Sequence, residues 1–488
     1  MHALLFLAAL ATAGVFAAAL SAARGDLDPT FGSGGKVTTD FGGSEVGWGV
    51  AVQRDRKVVV AGYELDFGPS DDFVLARYTV NGDLDRSFDG DGKVATDFAA
   101  GRDGAFDVQI QGDGKIVAAG ESRRGGVSAI ALARYNRDGT LDSTFGEGGK
   151  VLTTYGPGSI DRAQAVLLQT DGKIVAGGLT RSGASSSFAL TRYLPDGTLD
   201  PSFGSRGRVT TPIPRRENDR VYALAVQPDG KLVAAGGSFE GASDVVLARY
   251  NRDGSPDPSF DGDGISVASF RPIDMVPLRI VVQRDGKLLA AGYGGVTRFA
   301  ADGRLEGRFG QGGRAESGDV QAGTAAIQPD GKILVIGTVV TGSPATGDFG
   351  VARLTSGGRL DMTYGRQGRV VTAFGSGTSD EPVDAVLLPD GRLVVAGMSG
   401  ATPGYGPWDF AVARYVALRF CVVPNVRRKG LGAARAALTA AHCKTGTIKR
   451  RYSATVKRGR VISQRPRVGS RLAELAKVNL VVSRGQRR

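Results

Sequence analysis

QRDRKVVVAG (Gln53–Gly62) returns as QGDGKIVAAG (Gln111–Gly120), QTDGKIVAGG (Gln169–Gly178), QPDGKLVAAG (Gln227–Gly236), QRDGKLLAAG (Gln283–Gly292), QPDGKILVIG (Gln328–Gly337) and LPDGRLVVAG (Leu388–Gly397). One short unit written seven times means an array of like supersecondary units, because each must bury its apolar face on a neighbour. In each unit, short apolar runs rich in β-branched residues flank an Asp-Gly pair. That pattern predicts two strands joined by a two-residue primed turn with positive φ.

Two further elements keep the same count. An LDxxFG box places its aromatic at Phe31, Phe88, Phe145, Phe203, Phe260, Phe309 and Tyr364, in steps of 57, 57, 58, 57, 49 and 55 residues. A run ending in arginine, usually before an aromatic, recurs with Arg77, Arg134, Arg192, Arg249, Arg298, Arg353 and Arg414. The arginine run predicts a third strand, as over 73–79, and the run after the box a fourth, as over 93–98. Four antiparallel strands in so short a period match one propeller blade and argue against a helical solenoid. The chain opens on a lone fourth strand (36–41) and its last repeat stops after the third (409–416). Pairing these ends would complete one blade and leave no open sheet edge. The expected fold class is therefore all-β, a seven-bladed β-propeller closed by pairing of the N-terminal strand with the last blade, followed by a small α+β domain.

The LDxxFG, DGK and LARY elements together resemble the delta-60 type of bacterial β-propeller repeat, over roughly residues 26–417. The resemblance implies a propeller and no shared activity.

Residues 3–23 contain no charge and are dominated by alanine and leucine, with Ser21-Ala22-Ala23 before Arg24. This reads as a signal peptide over 1–23, with an uncleaved anchor as the alternative. No later stretch is long and apolar enough to span a bilayer.

The composition changes after Val416. Residues 418–488 hold 19 lysines and arginines against one acid, Glu474, a charge of +18, whereas the other 42 basic and 48 acidic residues sum to −6. The net charge of +12 belongs to this segment, which marks a separate domain with its own partners. Its alanine and leucine spacing predicts a helix over 432–442, with strands near 447–451, 460–464 and 477–483. Val423-Pro424, the helix, GRVISQRPRVGSRL from Gly459 with its Q-x-P-x-x-G core (Gln464, Pro466, Gly469), and the closing VSRG resemble a single PASTA domain. The expected division is thus a propeller over 24–417, a PASTA-like domain over 418–484 and a basic tail over 485–488.

Cys421 and Cys443 flank the helix. In an exported chain such a pair predicts a disulfide, and closing a loop of this length stabilises by roughly 3 kcal/mol in the chain-entropy model. A reactive or metal-binding thiol pair is the alternative.

Inventory argues against catalysis. Besides His2, the only histidine is His442, so neither a Ser-His-Asp triad nor a histidine-rich metal site fits inside the propeller. The aspartates recur in every unit at turns and read as structural; DGDG at Asp89 and Asp261 reads as a turn rather than a calcium loop. No catalytic residue, metal or cofactor is assigned. The repeated arginines stand eight residues before the box acid, which predicts charge-assisted pairs such as Arg77–Asp85, Arg134–Asp142 and Arg192–Asp200. A ring of arginines around the channel is the alternative.

The connections that vary between repeats lie on one face, the expected recognition surface. Trp48, Tyr405 and Trp408 are candidates there for a shared sugar- or peptide-stacking patch, against the reading that each tryptophan packs under its own loop. In the basic domain Arg450, Arg451, Lys457, Arg458 and Arg460 are candidate contacts to an anionic polymer. Aromatics are too sparse around them for specific nucleic-acid binding. The expectation is a non-catalytic, monomeric, secreted or envelope-associated binding protein whose partner is a cell-wall polymer (peptidoglycan or an anionic glycan) or an envelope protein. The alternative is a propeller enzyme, a carbohydrate hydrolase or lyase using carboxylates, arginines or tyrosines at the channel mouth.

Overall fold

The computed structural model describes residues 25–64, 71–98, 101–214, 218–238, 244–270, 275–341, 346–401, 407–416, 420–473 and 476–487. The leader and Tyr405 lie outside the described residues.

The second repeat shows how a unit is built. Arg102–Ile110, Ile116–Arg124, Val127–Tyr135 and Lys150–Thr153 form an antiparallel meander in chain order. The same four-strand order recurs along the chain, giving a propeller-like array of sheets; parallel bridges, Asp71 to Arg102 and Ile160 to Ser128, join neighbouring units. The sheets stack through mixed cores drawn from two adjacent units, as where Val59, Phe73 and Leu75 meet Val108, Ile116 and Tyr135. The strand Lys36–Thr39 pairs with the distant Trp408–Val416, Val37 standing opposite Val412. Val58 and Val60 of the first repeat share a core with Val394, Ala396 and Phe410 of the last.

The hairpin turn differs from the expected one. In QGDGK the Gln111 amide bonds to the Lys115 carbonyl and the Gly114 amide to the Gln111 carbonyl, so the loop has three residues. Only Gly114 has positive φ, at 91°. The Asp113 carboxylate accepts the Lys115 amide at 3.0 Å, a local bond that suits a right-handed Asp, so the hairpin takes an ordinary turn followed by a left-handed glycine. In the first repeat Arg56 occupies that glycine's place at φ 71°.

The C-terminal domain has one helix, Leu431–Ala440, slightly shorter than expected, on a three-stranded sheet of Lys444–Arg451, Lys477–Ser483 and Val461–Arg465. Val426, Ala434, Leu438, Val461, Leu480 and Val482 form its core. Gln464 accepts the Val426 amide at 2.8 Å and donates to the Pro424 carbonyl at 2.7 Å, which fixes the segment leading into the helix. Cys421 and Cys443 are joined in a disulfide within this core.

Candidate functional site

The repeated arginines lie between sheets. Arg134 Nε donates to Asp142 Oδ2 at 2.6 Å, its guanidinium stacks over Phe145 at 4.4 Å, and a further nitrogen reaches the Pro195 carbonyl of the next unit. Lys115 of the hairpin adds a second cation to the same carboxylate at 2.6 Å. Arg77–Asp85 (2.7 Å) and Arg192–Asp200 (2.8 Å) repeat the arrangement. Burial alone would raise the Asp85 carboxyl, but bonds from Lys57 and Ser87 and the charge of Arg77 outweigh it and hold it at about 2. For Arg414 the acid is Asp28, 2.9 Å away, although the two stand at opposite ends of the repeat region. These groups are consumed by the scaffold.

The chemistry that differs between units sits on the inner strands. Each inner strand has a β-bulge at the same place, between Gly47 and Gly49 in the first unit, Ala105 and Asp107 in the second, Pro277 and Arg279 in the fifth and Pro382 and Asp384 in the last. A bulge turns two consecutive side chains toward one side. The extra residues are Trp48, Phe106, Gln164, Tyr222, Leu278, Gly323 and Val383, all but Gly323 with a side chain, and all line one cavity of about 480 Å³. The next position is Gly49, Asp107, Ala165, Ala223, Arg279, Thr324 and Asp384. Three charges thus stand in a column that is otherwise small or neutral. Because they do not repeat, their one signal in the sequence is departure from this column.

Arg279 pairs with Asp384 at 3.3 Å. Asp107 accepts the Val108 and Val166 amides, each at 2.8 Å, and Asp384 accepts the Val50 amide at 3.2 Å. Each carboxylate therefore ties its inner strand to that of the neighbouring sheet while facing the cavity. Burial pushes the Asp107 carboxyl up to about 7; Arg279 opposes the shift and Asp384 adds to it. For Arg279 the Asp384 charge outweighs burial, which alone would lower it, and shifts it further upward.

Above this charged layer, Trp48 meets Phe106 edge-to-face at 5.7 Å and the Arg162 guanidinium lies over Phe106 at 4.6 Å. Arg220 lies over Tyr222 at 5.8 Å. Tyr293, Thr338 and Met398, at the start of three variable connections, also line the cavity, so it reaches the face those connections form. Trp408 lies elsewhere: it stands opposite Gly400 at the end of its hairpin, and its amide bonds to Ser44 Oγ at 3.1 Å. Trp48 is thus a cavity residue, whereas Trp408 belongs to the packing of its own hairpin.

In the C-terminal domain Arg450, Arg451, Lys457, Arg458 and Arg460 are all exposed. The backbone gathers them, since the Ser483 amide bonds to the Arg460 carbonyl and the Arg484 amide to the Arg451 carbonyl, so both flank the end of the central strand. Arg484 joins them over the Tyr452 ring at 5.7 Å.

Residues 53–88, 111–145, 169–203, 227–260 and 328–364 match a beta-propeller domain of unknown function, DUF5122, and residues 422–484 match the PASTA domain. The chain is thus a repeat protein of the β-propeller class. In particular, it joins DUF5122 repeats to a PASTA domain, as the resemblances in its sequence imply. No curated protein matches the chain. Similar solved structures include a catalytically inactive virginiamycin B lyase from Staphylococcus aureus with quinupristin (11% identity, 78% of this chain and 98% of that one, TM-score 0.46). Others are the polysaccharide lyase Uly1 (14%, 75% and 89%, 0.44) and a gluconolactonase from Xanthomonas campestris (18%, 64% and 87%, 0.34). No helix among the described residues is long and apolar enough to cross a membrane.

Proposed function

We propose that the repeats close into a seven-bladed ring and that the protein is a non-catalytic binding protein of the cell envelope. In this reading the PASTA domain docks to an anionic wall polymer while the cavity face recognises a second ligand. Closure is supported by the Val37–Val412 ladder and by the Arg414–Asp28 pair, which reproduces between chain ends the bond other units make locally.

The observation that carries the functional reading is the basic end of the PASTA sheet. Its exposed cations have no acidic partner among the described residues, so their field is available to a polyanion. The cavity adds aromatic faces at Trp48, Phe106 and Tyr222, a lining suited to stacking on a sugar ring. Cosedimentation of the protein with peptidoglycan carrying or stripped of anionic polymer, at two salt concentrations, tests the docking. Binding should fall steeply with salt and with removal of the polymer. A variant with Arg450, Arg451, Lys457, Arg458 and Arg460 changed to glutamine should lose most of it; equal binding by the variant would reject the reading.

A carbohydrate hydrolase or lyase is favoured by one observation, the unrepeated Asp107, Arg279 and Asp384 in the cavity. Against it, both carboxylates are already occupied by backbone amides. Cleavage of a wall polysaccharide that is abolished in Asp384→Asn, with the fold retained, would establish the enzyme reading instead.

A further inference from the structure

In the inner strands an acid recurs two positions before the bulge: Glu45, Asp103, Asp161, Asp219 and Asp380. Asp103, Asp161 and Asp380 each accept a backbone amide, from Phe98 at 2.6 Å, Tyr155 at 2.8 Å and Phe374 at 2.7 Å, and the last two acids also accept hydroxyls. Asp161 takes Thr180 and Ser159, each at 2.6 Å, and Asp380 takes Ser399 at 2.6 Å and Thr378 at 3.2 Å. A buried carboxylate needs such donors or a counter-charge.

Glu45 departs from this pattern. It is fully buried, and the residue across the hairpin, where the others have serine or threonine, is Glu64. Its Oε1 accepts the Gly43 amide at 2.9 Å, while Oε2 has no hydrogen-bond partner. Where Asp161 and Asp380 have hydroxyls it faces Asp40, which follows the N-terminal strand, and Asp409 on the strand Trp408–Val416. One carboxylate oxygen from each of the three lies within 4.8 Å of the other two. Asp40 Oδ1 also accepts the Gly42 amide at 2.6 Å. Lys93 does not form an ion pair with the trio; its ammonium bonds to the Asp40 backbone carbonyl at 3.1 Å, as Lys150 does to that of Asp97.

We propose that Asp40, Glu45 and Asp409 form a calcium site that clasps the N-terminal strand and the first hairpin to the last strand. Calcium binds carboxylate and water oxygens at about 2.4 Å in flexible geometry, so oxygens it shares lie no more than about twice that apart. Three oxygens within 4.8 Å of one another meet this limit. Asp40 is exposed, which leaves room for water to complete the shell. A second trio, Asp72, Asp97 and Asp103, stands at matching places one unit on, and its Asp103 Oδ1 likewise has no hydrogen-bond partner; there the residue across the hairpin is the neutral Ser122 rather than a glutamate, and the proposal is made for the first trio.

The test uses the whole protein in EDTA, in about 5 mM calcium, above the range of about 0.1–1 mM typical of weak extracellular sites, and in magnesium. Calcium should raise the melting temperature by several degrees and magnesium by less. Asp409→Asn should lose the calcium response, yet in EDTA melt no lower than the parent, because it removes one of three crowded charges. If that variant does not fold, the exposed Asp40→Asn serves in its place. A parent indifferent to calcium in both melting and equilibrium dialysis, or a response undiminished in the variants, would overturn the proposal.

Discussion

At the residue scale the box acids and Asp107 of the cavity lie at opposite extremes. Asp85 and its counterparts accept from a lysine, an arginine and a hydroxyl, and their carboxyls are held low. Their contribution to stability is present above the unfolded carboxylate range near 4 and lost as pH falls toward 2. Arg134→Ala would remove the bond to Asp142, the stacking on Phe145 and the bond to the Pro195 carbonyl while leaving Lys115 on Asp142, and should destabilise by about 1–3 kcal/mol, read as a lower melting temperature. Asp107 has the opposite sign. A carboxyl raised to about 7 favours its protonated form in the fold, so its contribution is present below about pH 4 and lost as pH rises through 7. Melting temperature should therefore fall between pH 5 and pH 8 more steeply in the parent than in Asp107→Asn. Parallel curves would show that the Asp107 proton is not held this way.

At the element scale the hairpin is the unit of design, and the first is the one that violates its own rule. Arg56 sits at a left-handed position that the later repeats give to glycine. Arg56→Gly should raise stability by about 1 kcal/mol, seen as a modest increase in melting temperature, because the clash of Cβ with the backbone is removed. An unchanged or lower value would mean that the Arg56–Asp390 contact at 3.4 Å between the first and last repeats offsets that cost. The inner-strand bulges are the other element that matters, since they decide which two side chains of each unit reach the cavity.

At the scale of the molecule, the ends of the repeat region depend on each other. Asp28, Phe31 and Val37 lie in the first few residues of that region, and their partners Arg414 and Val412 lie in its last. Asp28→Ala should therefore cost as much as Arg134→Ala and increase protease cleavage at both ends of the repeats together, measured by limited proteolysis. Cleavage confined to the N-terminal segment would show that the ends are not coupled.

The repeat count, the strand order, the Arg–Asp spacing, the cysteine pair and the charge of the last domain are all local or periodic properties, so they were legible in the amino-acid sequence alone. The Asp107–Arg279–Asp384 layer and the Asp40–Glu45–Asp409 trio were not. Each gathers residues from strands hundreds of positions apart, and which side chains meet is set by bulge register and by the way sheets stack, neither of which leaves a fixed spacing in the chain. The hairpin turn was misread for a related reason, because one side-chain bond from Asp to the backbone selects between two loops that the same residues permit.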